Sequence, residues 1–358
     1  CPAVGEPLYI DTVRLAAPGG DEVGVRIEAC AICHSDLSYI DGYWGDFEPS
    51  IFGHEAAGIV ETVGSGVTHV SPGDHVVVTL IRACGTCRHC THGAPPMCDH
   101  SRDLGPLQPI SDDSNHAVRQ GMKTGAFAQR VTVHGSQAVR IPADIPFPTA
   151  SVVACAVITG YGAVIRDGKT RPGDRVVVIG AGGVGLNIIQ TARLAGAEEI
   201  VAIDMQPSKL DDAARFGATH LVNASTMDVH DRVKLMTGGQ GADQVYVSVG
   251  AVAAINQGMD LLAKSGSLVI VGIPAEGSRV SFQPVALNDF SQRIVGSKMG
   301  AARIQEDVPA IIEHYRQGRF MLDELIAQTW PLEAINEAMA SSRKGDVIRN
   351  VILPWEHP

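Results

Sequence analysis

The stretch Arg175-Val-Val-Val-Ile-Gly-Ala-Gly-Gly-Val-Gly185 decides how the second half of this chain folds. Its apolar residues predict a buried strand, and the glycines after them predict a sharp turn. Residues 186–194 then repeat apolar side chains with the period of a helix. A strand, a tight turn and a helix in this order form the repeating unit of a parallel α/β sheet.

The same alternation continues downstream and predicts a doubly wound parallel sheet. Further strands are predicted at 200–203, 244–248 and 267–271, and helices near 209–216, 229–236 and 254–263. Before residue 140 the pattern differs. Short β-rich runs at 22–28, 57–63 and 74–79 are separated by glycine and proline, which predicts a compact barrel-like domain rather than βαβ units.

The tail of the chain is expected to return to this first domain. It carries helical patterns near 308–315 and 332–341 and a strand pattern at 347–353. A chain of 358 residues exceeds what one hydrophobic core usually organises. The predicted domains are therefore residues 1–156 together with 300–358, and residues 157–299.

The glycine turn indicates a dinucleotide-binding site. Glycine is needed where the backbone turns sharply, where it approaches a pyrophosphate, and where helix and strand pack closely. The predicted contacts are Gly180, Gly182, Gly183 and Gly185, with Asp204 at the end of the next strand. A carboxylate there can accept both ribose hydroxyls and would repel the extra phosphate of NADP, so NAD is favoured. The alternative is that Asp204 only caps the next helix.

Composition excludes several classes of partner. The net charge of −11 argues against a nucleic-acid binder, because affinity for phosphates comes from concentrated Lys and Arg. No apolar run approaches the length of a membrane span. With eight cysteines in a long chain and no signal-like segment at its start, reduced thiols in the cytoplasm are expected. The expected partner is a small molecule.

Four cysteines, Cys84, Cys87, Cys90 and Cys98, lie close together in sequence. Four thiolates close the shell of a tetrahedral zinc, which is typical of a structural site. A disulfide cluster or a redox pair is the alternative reading, and it fits a long chain in a reducing compartment less well. His89, His92 and His100 are other possible ligands in the same lobe, although four sulfurs already suffice.

Three further residues are candidate ligands of a catalytic zinc: Cys33, His54 and Cys155. They are far apart in sequence and could converge only in a folded cleft. Taken singly, a buried cysteine is usually a small hydrophobe and a histidine a satisfied polar residue. Together they form a set of two sulfurs and one nitrogen with an open position. Asp36 is a reasonable partner for the imidazole of His54.

Over essentially its whole length the chain resembles the zinc-containing alcohol dehydrogenases of the medium-chain dehydrogenase/reductase superfamily. The segments that carry the resemblance are Cys33-His-Ser-Asp36, Phe52-Gly-His-Glu-Ala-Ala-Gly-Ile-Val-Glu-Thr-Val-Gly64, the four-cysteine lobe, Cys155-Ala-Val-Ile-Thr-Gly-Tyr-Gly162, the turn Gly180 to Gly185 with Asp204 and Lys209, and Val347-Ile-Arg349. The resemblance implies a GroES-like catalytic domain built from both chain ends and a Rossmann domain between them.

The resemblance also implies roles for individual residues. Cys33, His54 and Cys155 would hold the catalytic zinc, with Glu55 close behind it, so that each chain carries two zinc ions. The implied cofactor contacts are His34 and Arg349 at the pyrophosphate, Lys209 at the adenosine ribose, Thr159 and Val184 at the nicotinamide, and Val271 in the same cofactor site. The implied reaction is NAD-linked interconversion of an alcohol and an aldehyde or ketone by hydride transfer.

Proton release is the step in which this chain departs from many members of the family. Ser35 matches the family's Ser or Thr beside the zinc and would pass the alcohol proton toward the cofactor ribose. Many members end this relay at a histidine three residues further on, where this chain has Ser38. A serine cannot serve as a base at neutral pH, so the sequence leaves the terminal acceptor open.

The substrate is also left open. Leu80 stands where many relatives carry an aromatic residue in the alcohol pocket, and Tyr43 and Trp44 precede the zinc histidine. The stretch 99–126 is long, as in dimeric members, so a homodimer is favoured and a tetramer is possible. Arg102 stands where glutathione-dependent formaldehyde dehydrogenases carry an anion-binding arginine, which makes a thiol-conjugate formaldehyde dehydrogenase the alternative; a solvated surface arginine is the plainer reading.

Two other classes of protein compete with this interpretation. A metal-free reductase of the same superfamily would lack the ligand set, so Cys33, His54 and Cys155 count against it. A zinc-stabilised binding protein without enzymatic activity would need only the four-cysteine lobe, so the second ligand set and Asp204 count against that. The number of zinc ions per chain separates the three classes: two for the zinc-containing alcohol dehydrogenase, none for the metal-free reductase and one for the binding protein.

Overall fold

A computed structural model describes residues 1–104, 110–345 and 347–356. The chain divides into two compact units. The first unit is built from Cys1–Cys155, Arg303–Tyr315 and Leu322–Pro358, and the second from Ala156–Ala302 with Arg316–Met321. Compared with the ranges expected from the sequence, the boundaries differ by one to three residues, and residues 316–321 belong to the second unit instead of the first.

The strands of the described ranges are labelled in chain order. They are β1 (Arg14–Leu15), β2 (Glu22–Ala31), β3 (Ser50–Ile51), β4 (Glu55–Val63), β5 (His75–Val78), β6 (Ile110–Ser111), β7 (Ala117–Gln120), β8 (Arg130–His134), β9 (Ala138–Arg140), β10 (Arg175–Ile179), β11 (Glu199–Asp204), β12 (His220–Asn223), β13 (Ala242–Val247), β14 (Leu262–Ile270), β15 (Arg293–Gly296), β16 (Ile326–Pro331) and β17 (Arg349–Leu353).

The α-helices are labelled in the same way. They are α1 (His34–Ile40), α2 (Arg88–Thr91), α3 (Phe147–Ser151), α4 (Ala156–Gly162), α5 (Gly183–Leu194), α6 (Pro207–Arg215), α7 (Val229–Met236), α8 (Val252–Asp260), α9 (Pro284–Asp289), α10 (Ile304–Arg316) and α11 (Ile335–Lys344). A single π-helical turn, Ala163–Gly168, continues α4.

The second unit is built on a six-stranded sheet in the order β12-β11-β10-β13-β14-β15. Every neighbouring pair in it is parallel, which confirms the predicted doubly wound sheet. The chain runs outward from β10 to β12 and then returns to the other side of β10 at β13. Such a reversal leaves a crevice at the carboxyl ends of the two central strands, where this fold class binds its ligands. The turn Gly180 to Gly185 lies at that point.

The first unit is built mainly on a seven-stranded sheet. Its order is β16-β17-β2-β4-β5-β9, and β8 also pairs with β2. The pairs are antiparallel except for β16 and β17. Inward-facing side chains such as Val25, Val60 and Val133 form its core with residues of α11. A four-stranded sheet of order β1-β6-β7-β3 completes the unit.

The tail of the chain pairs with a strand of the first unit. In the antiparallel pair of β17 and β2, Val351 lies opposite Ala31 and Ile352 opposite Cys30. This pairing places Arg349, at the start of β17, in the same unit as the residues around Cys33.

One predicted helix was too long. The pattern over 254–263 predicted a helix to Ala263, whereas α8 ends at Asp260 and Leu262 already begins β14. The reason is that Leu262 pairs with Ala242 and is buried, so the sheet overrides the helical period at that point.

No single helix in the described residues has both the length and the apolar composition needed to cross a membrane. The bent pair of helical segments Phe147–Ala154 and Ala156–Gly168 meets these two criteria together.

Candidate functional site

The first candidate site is a cluster in the first unit formed by Cys33, His54, Glu55 and Cys155. Cys33 follows β2 and precedes α1, and His54 directly precedes β4. Because β2 and β4 pair antiparallel with Ala31 opposite Glu55, Cys33 and His54 lie at the same end of the strand pair. The ligand atoms of the four residues all lie within 4.8 Å of one another. The structure therefore brings together residues that the sequence separates widely.

The cluster is closed off from solvent. His54 and Glu55 are 0% exposed, and Cys33 and Cys155 are each 7% exposed. Buried cysteine, histidine and glutamate side chains at such short separations need a common partner or extensive hydrogen bonding.

Asp36 orients the histidine of this cluster. Its carboxylate is fully buried on α1 and accepts three hydrogen bonds. Oδ1 accepts from Gly53 N at 3.0 Å and from His54 Nδ1 at 3.1 Å, and Oδ2 accepts from Cys33 N at 3.2 Å. This arrangement places the Nδ1 proton of His54 toward Asp36 and leaves Nε2 facing the cluster.

The protonation states of the cluster are strongly perturbed. A hydrogen bond from Cys155 lowers the pKa of Cys33 well below its ordinary value, and the same contact raises the pKa of Cys155. Burial opposes protonation of His54, but the carboxylate of Asp36 outweighs it and raises the pKa of His54. A thiolate therefore forms readily at Cys33, and a metal that binds here displaces protons from the other groups.

Glu55 and Arg349 form a buried pair beside the cluster. Burial raises the pKa of Glu55 to about 8, against the opposing attraction of the Arg349 guanidinium. Arg349 Nε lies 3.4 Å from Glu55 Oε2, within ion-pair distance but without hydrogen-bond geometry. Arg349 also donates from Nη1 to the backbone carbonyl of Ile348 at 2.9 Å.

The donor set fits zinc. His54 Nε2 is buried and has no hydrogen-bond partner among the described residues, although its other ring nitrogen is bonded to Asp36. An imidazole nitrogen held in this way beside two cysteine sulfurs is the donor set of catalytic zinc sites with an open fourth position. Glu55 is close enough to be a fourth ligand, but Arg349 shares its carboxylate.

The second candidate site is the four-cysteine lobe, also in the first unit. Cys84 Sγ lies 4.0 Å from Cys90 Sγ, and Cys87 Sγ lies 4.0 Å from Cys98 Sγ. A disulfide would require about 2.05 Å, whereas sulfurs around a tetrahedral zinc at about 2.3 Å lie about 3.8 Å apart. The spacing therefore fits four metal ligands and not two disulfides.

Backbone N–H groups donate to two sulfurs of this lobe, while burial raises the pKa of Cys90 to about 12 and also raises that of Cys98. The N–H of Cys87 donates to Cys84 Sγ at 3.3 Å, and the N–H of Cys84 donates to Cys98 Sγ at 3.3 Å. The backbone N–H of Cys87 lowers the pKa of Cys84 to about 5.

The three histidines near this lobe lie outside the four-cysteine cluster. His89 lies 3.5 Å from Asp99, His100 lies 3.7 Å from Asp103, and His92 Nδ1 lies 2.7 Å from the Arg88 carbonyl.

The third candidate site is the glycine turn of the second unit. Gly180 has a φ of +95°, a conformation that favours glycine. A Cβ on Gly185 would lie 1.9 Å from the Gly180 carbonyl oxygen, so only glycine allows α5 to begin this close to β10. A Cβ on Gly182 would meet nothing within 4 Å, which leaves its backbone open to a ligand. These three positions match the three uses of glycine in a pyrophosphate-binding turn.

Asp204 lies at the end of β11 beside this turn. Its carboxylate accepts from Ala181 N at 2.8 Å and from Gln206 N at 3.0 Å. The carboxylate is therefore held against the turn and only partly buried, which leaves lone pairs for further donors.

The other predicted cofactor contacts lie in their own units as follows. Two of those in the second unit are buried: Thr159 is 7% exposed, with its Oγ1 3.7 Å from Met299 Sδ, and Val271, which follows β14, is 8% exposed. The other two are half-buried, Val184 on α5 and Lys209 on α6. In the first unit, His34 is exposed at the start of α1 and Ser35 is half-buried beside Asp36. Arg102, the basis of the formaldehyde-dehydrogenase alternative, is exposed, and residues 105–109 of the stretch 99–126 lie outside the described residues.

Comparisons with known proteins agree with this geometry. Residues 19–143 match the family model described as an alcohol dehydrogenase GroES-like domain, and residues 183–316 match that of a zinc-binding dehydrogenase. The chain belongs to the zinc-type alcohol dehydrogenases of the medium-chain dehydrogenase/reductase family. It is therefore an oxidoreductase with a GroES-like and a Rossmann-type domain, as the resemblance implied.

Individual relatives extend over nearly the whole chain. The NDMA-dependent alcohol dehydrogenase of Amycolatopsis methanolica is 35% identical, over 98% of this chain and 96% of its own length. Alcohol dehydrogenase B of Mycobacterium tuberculosis is 33% identical, over 97% and 95%. Among solved structures, benzyl alcohol dehydrogenase from Acinetobacter calcoaceticus is 31% identical with a TM-score of 0.89, over 95% and 94%. An alcohol dehydrogenase zinc-binding domain protein from Burkholderia ambifaria is 34% identical with a TM-score of 0.94, over 99% and 97%.

Proposed function

We propose that this protein is a zinc-dependent, NAD-linked alcohol dehydrogenase that interconverts an alcohol and an aldehyde or ketone. The observation that carries the proposal is the buried cluster of Cys33, His54 and Cys155, with the unpartnered Nε2 of His54 among its donors. A zinc ion bound by these three residues supplies a Lewis acid that lowers the pKa of a substrate hydroxyl.

The surrounding residues prepare the cluster. Asp36 keeps the ring of His54 in one orientation and ties the backbone of Cys33 and Gly53 to the same carboxylate. Arg349 lies 3.4 Å from Glu55, whose buried carboxyl oxygens have no hydrogen-bond partner among the described residues. Both arrangements fix charges in a dry site, where they act more strongly than in water.

Ser35 is the proposed first acceptor of the alcohol proton. It lies next to Asp36 on α1 and is half-buried. Ser38 lies one turn further along the helix and is also half-buried. Because a serine hydroxyl does not hold a proton as a base near neutral pH, we propose that the proton leaves through solvent beyond Ser35.

Asp204 is the proposed determinant of cofactor choice. Its carboxylate lies beside the glycine turn, where a ribose with two free hydroxyls gains hydrogen bonds and a phosphorylated ribose meets a like charge. We therefore propose NAD rather than NADP as the cofactor. The remaining proposed contacts are His34, Thr159, Gly180, Gly182, Gly183, Val184, Gly185, Lys209, Val271 and Arg349.

The four-cysteine lobe is proposed to hold a second, structural zinc, so that each chain binds two ions. A zinc-stabilised binding protein would need only this second site. That alternative gives no role to the buried cluster around His54. The proposed partners are a small alcohol or carbonyl substrate and a second copy of the chain.

The test is a panel of alcohols and aldehydes assayed with NAD and with NADP, together with metal analysis. Benzyl alcohol belongs in the panel because the relative from Acinetobacter calcoaceticus is named for it. The thiol conjugate of formaldehyde belongs there because of Arg102. Oxidation of simple alcohols with NAD by a protein that holds two zinc ions per chain supports the proposal. Turnover without any bound metal, or turnover of the thiol conjugate alone, contradicts it.

A further inference from the structure

Arg82 is a buried cation that precedes the four-cysteine lobe by two residues and has no part in the site described above. It is 7% exposed. Its Nε donates to Gln137 Oε1 at 2.7 Å, its Nη2 donates to the Lys123 carbonyl at 2.9 Å, and its Nη1 donates to the Leu104 carbonyl. All three acceptors are neutral oxygens.

The charge of Arg82 has no direct counter-ion. In the described ranges no carboxylate oxygen lies within 4.0 Å of its guanidinium nitrogens; Glu22 attracts it from beyond that distance. A buried charge without a close partner is costly, and natural proteins rarely keep one unless something nearby uses it.

The backbone around Arg82 is strained in a way that serves its hydrogen bonds. Met122 and Lys123 have φ values of 52° and 65°, in the left-handed region that costs energy for residues other than glycine. The carbonyl of Lys123 accepts from Arg82 at 2.9 Å and from Gln137 Nε2 at 3.1 Å. The strained turn therefore directs one carbonyl at two buried donors.

The two carbonyls that Arg82 binds lie on the chain that leaves the lobe. Leu104 follows the last ligand, Cys98, by six residues, and Lys123 belongs to the 3-10 turn Gly121–Lys123 between β7 and β8. Arg82 itself enters the lobe at Cys84. One guanidinium thus joins the chain before the lobe to the chain after it.

We propose that Arg82 is a positioning residue of the four-cysteine metal site: it ties the entry and exit chains of the lobe together and so holds the four sulfurs in the geometry of one metal ion. The proposal depends on a metal in the four-cysteine lobe and is independent of which alcohol the protein oxidises.

The experiment measures metal release from the lobe. Arg82→Met removes the charge and the hydrogen bonds, and Arg82→Lys keeps the charge. Arg303→Gln is the matched control, because Arg303 Nε also donates to a lobe carbonyl, that of Gly93 at 3.1 Å, but its side chain is 41% exposed and lies 3.6 Å from Glu306. All variants carry Cys155→Ser, so that release comes from the lobe alone.

The readouts are the rate of zinc transfer to a chromophoric chelator and the absorption spectrum of the cobalt-substituted lobe. Substitution of residues that support a metal site typically costs about 10–100-fold in affinity, so Arg82→Met is expected to release zinc at least about tenfold faster than its parent. Arg82→Lys is expected to release zinc more slowly than Arg82→Met but faster than its parent, because an ammonium group replaces only part of the guanidinium's hydrogen bonds. Arg303→Gln is expected to match the parent. The cobalt spectrum of Arg82→Met should shift, because the sulfur geometry loosens.

Several outcomes overturn the proposal. The first is an Arg82→Met protein with a lower melting temperature but an unchanged rate of zinc release and an unchanged cobalt spectrum. The second is an Arg82→Lys protein that releases zinc as fast as Arg82→Met. The third is an Arg303→Gln protein that also releases zinc as fast as Arg82→Met. If Arg82→Met does not accumulate as folded protein, Arg82→Lys carries the test, because a lysine does not reproduce the planar set of donors of the guanidinium. Its zinc release must then be faster than that of the parent, and release at the parental rate overturns the proposal. A second zinc in the Cys155→Ser parent contradicts the catalytic assignment and not the role of Arg82.

Discussion

Replacing Asp36 by Asn tests how the catalytic cluster is held together. The asparagine keeps the shape of the side chain and one acceptor oxygen, so that Gly53 N and His54 Nδ1 retain a partner. The amide nitrogen, however, takes the place of Oδ2 and faces the N–H of Cys33. An amide nitrogen cannot accept a hydrogen bond, so this contact is lost. The negative charge that favours the histidine as a metal ligand is lost as well.

The expected result is weaker metal binding at this cluster. Loss of such a carboxylate typically lowers metal affinity about 10–100-fold, which corresponds to about 1.4–2.8 kcal/mol. The fold should persist, because the residue is replaced by one of nearly the same volume. The measurement is a competition titration of bound zinc against a chelator of known affinity, together with turnover at saturating zinc.

Asp41→Asn is the matched control for this experiment. Asp41 follows the same helix, and its pair with Arg343 Nη2, at 2.7 Å, lies at the surface with 34% of the aspartate side chain exposed. Such pairs contribute about 0–1 kcal/mol, so zinc affinity should not change. If the Asp36→Asn protein binds zinc as tightly as the control and turns over as fast, the assigned role of Asp36 is refuted.

Changes at four further positions test the remaining assignments. Cys98→Ser is expected to remove the zinc of the lobe and to lower the melting temperature strongly, because a structural zinc contributes folding energy; metal analysis and thermal unfolding measure this, and an unchanged melting temperature argues against a structural role. Asp204→Gly is expected to raise the Michaelis constant for NAD about ten- to hundredfold and to relax discrimination against NADP, through the loss of charge-assisted hydrogen bonds; unchanged constants for both cofactors remove Asp204 from the site. Ser35→Ala is expected to slow hydride transfer in single-turnover kinetics with zinc still bound, whereas Ser35→Thr keeps the hydroxyl and should be mild; a wild-type rate for Ser35→Ala between about pH 6 and 9 means that the proton leaves elsewhere. Ser38→Ala should change little, and Ser38→His should raise the rate at low pH by placing a base of pKa about 6.5 on the same helix face.

The sheet of the second unit could be predicted because its central strands are long, apolar and buried. The strands β12 and β15 escaped prediction for the opposite reason. Each has four residues with many half-exposed or exposed side chains, and it is backbone pairing with β11 and β14 that holds them. Short edge strands of this kind carry no clear period, so sequence patterns do not identify them.

The residue types of the catalytic cluster could also be predicted from the sequence, whereas their convergence was implied only by the family resemblance. The sequence separates Cys33 from Cys155 by more than a hundred positions, and only the register of β2 against β4 shows that Cys33 and His54 lie together. The three hydrogen bonds of Asp36 were predicted only in part, since the contact with Gly53 N depends on the turn before β4.

Arg82 had no sequence signal beyond its place before Cys84. Its role depends on buried contacts with Leu104, Lys123 and Gln137, which lie 22 to 55 positions away. Contacts at such separations follow from the fold and not from a local pattern.

The central claim is that Cys33, His54 and Cys155 bind a zinc ion on which alcohol oxidation depends. The most direct test counts zinc per chain and measures NAD-linked turnover in the wild-type and Cys155→Ser proteins. The expected result is two zinc ions and turnover in the wild type, and one zinc ion, a folded chain and loss of turnover in the variant. Two zinc ions with near-normal turnover in Cys155→Ser would contradict the claim.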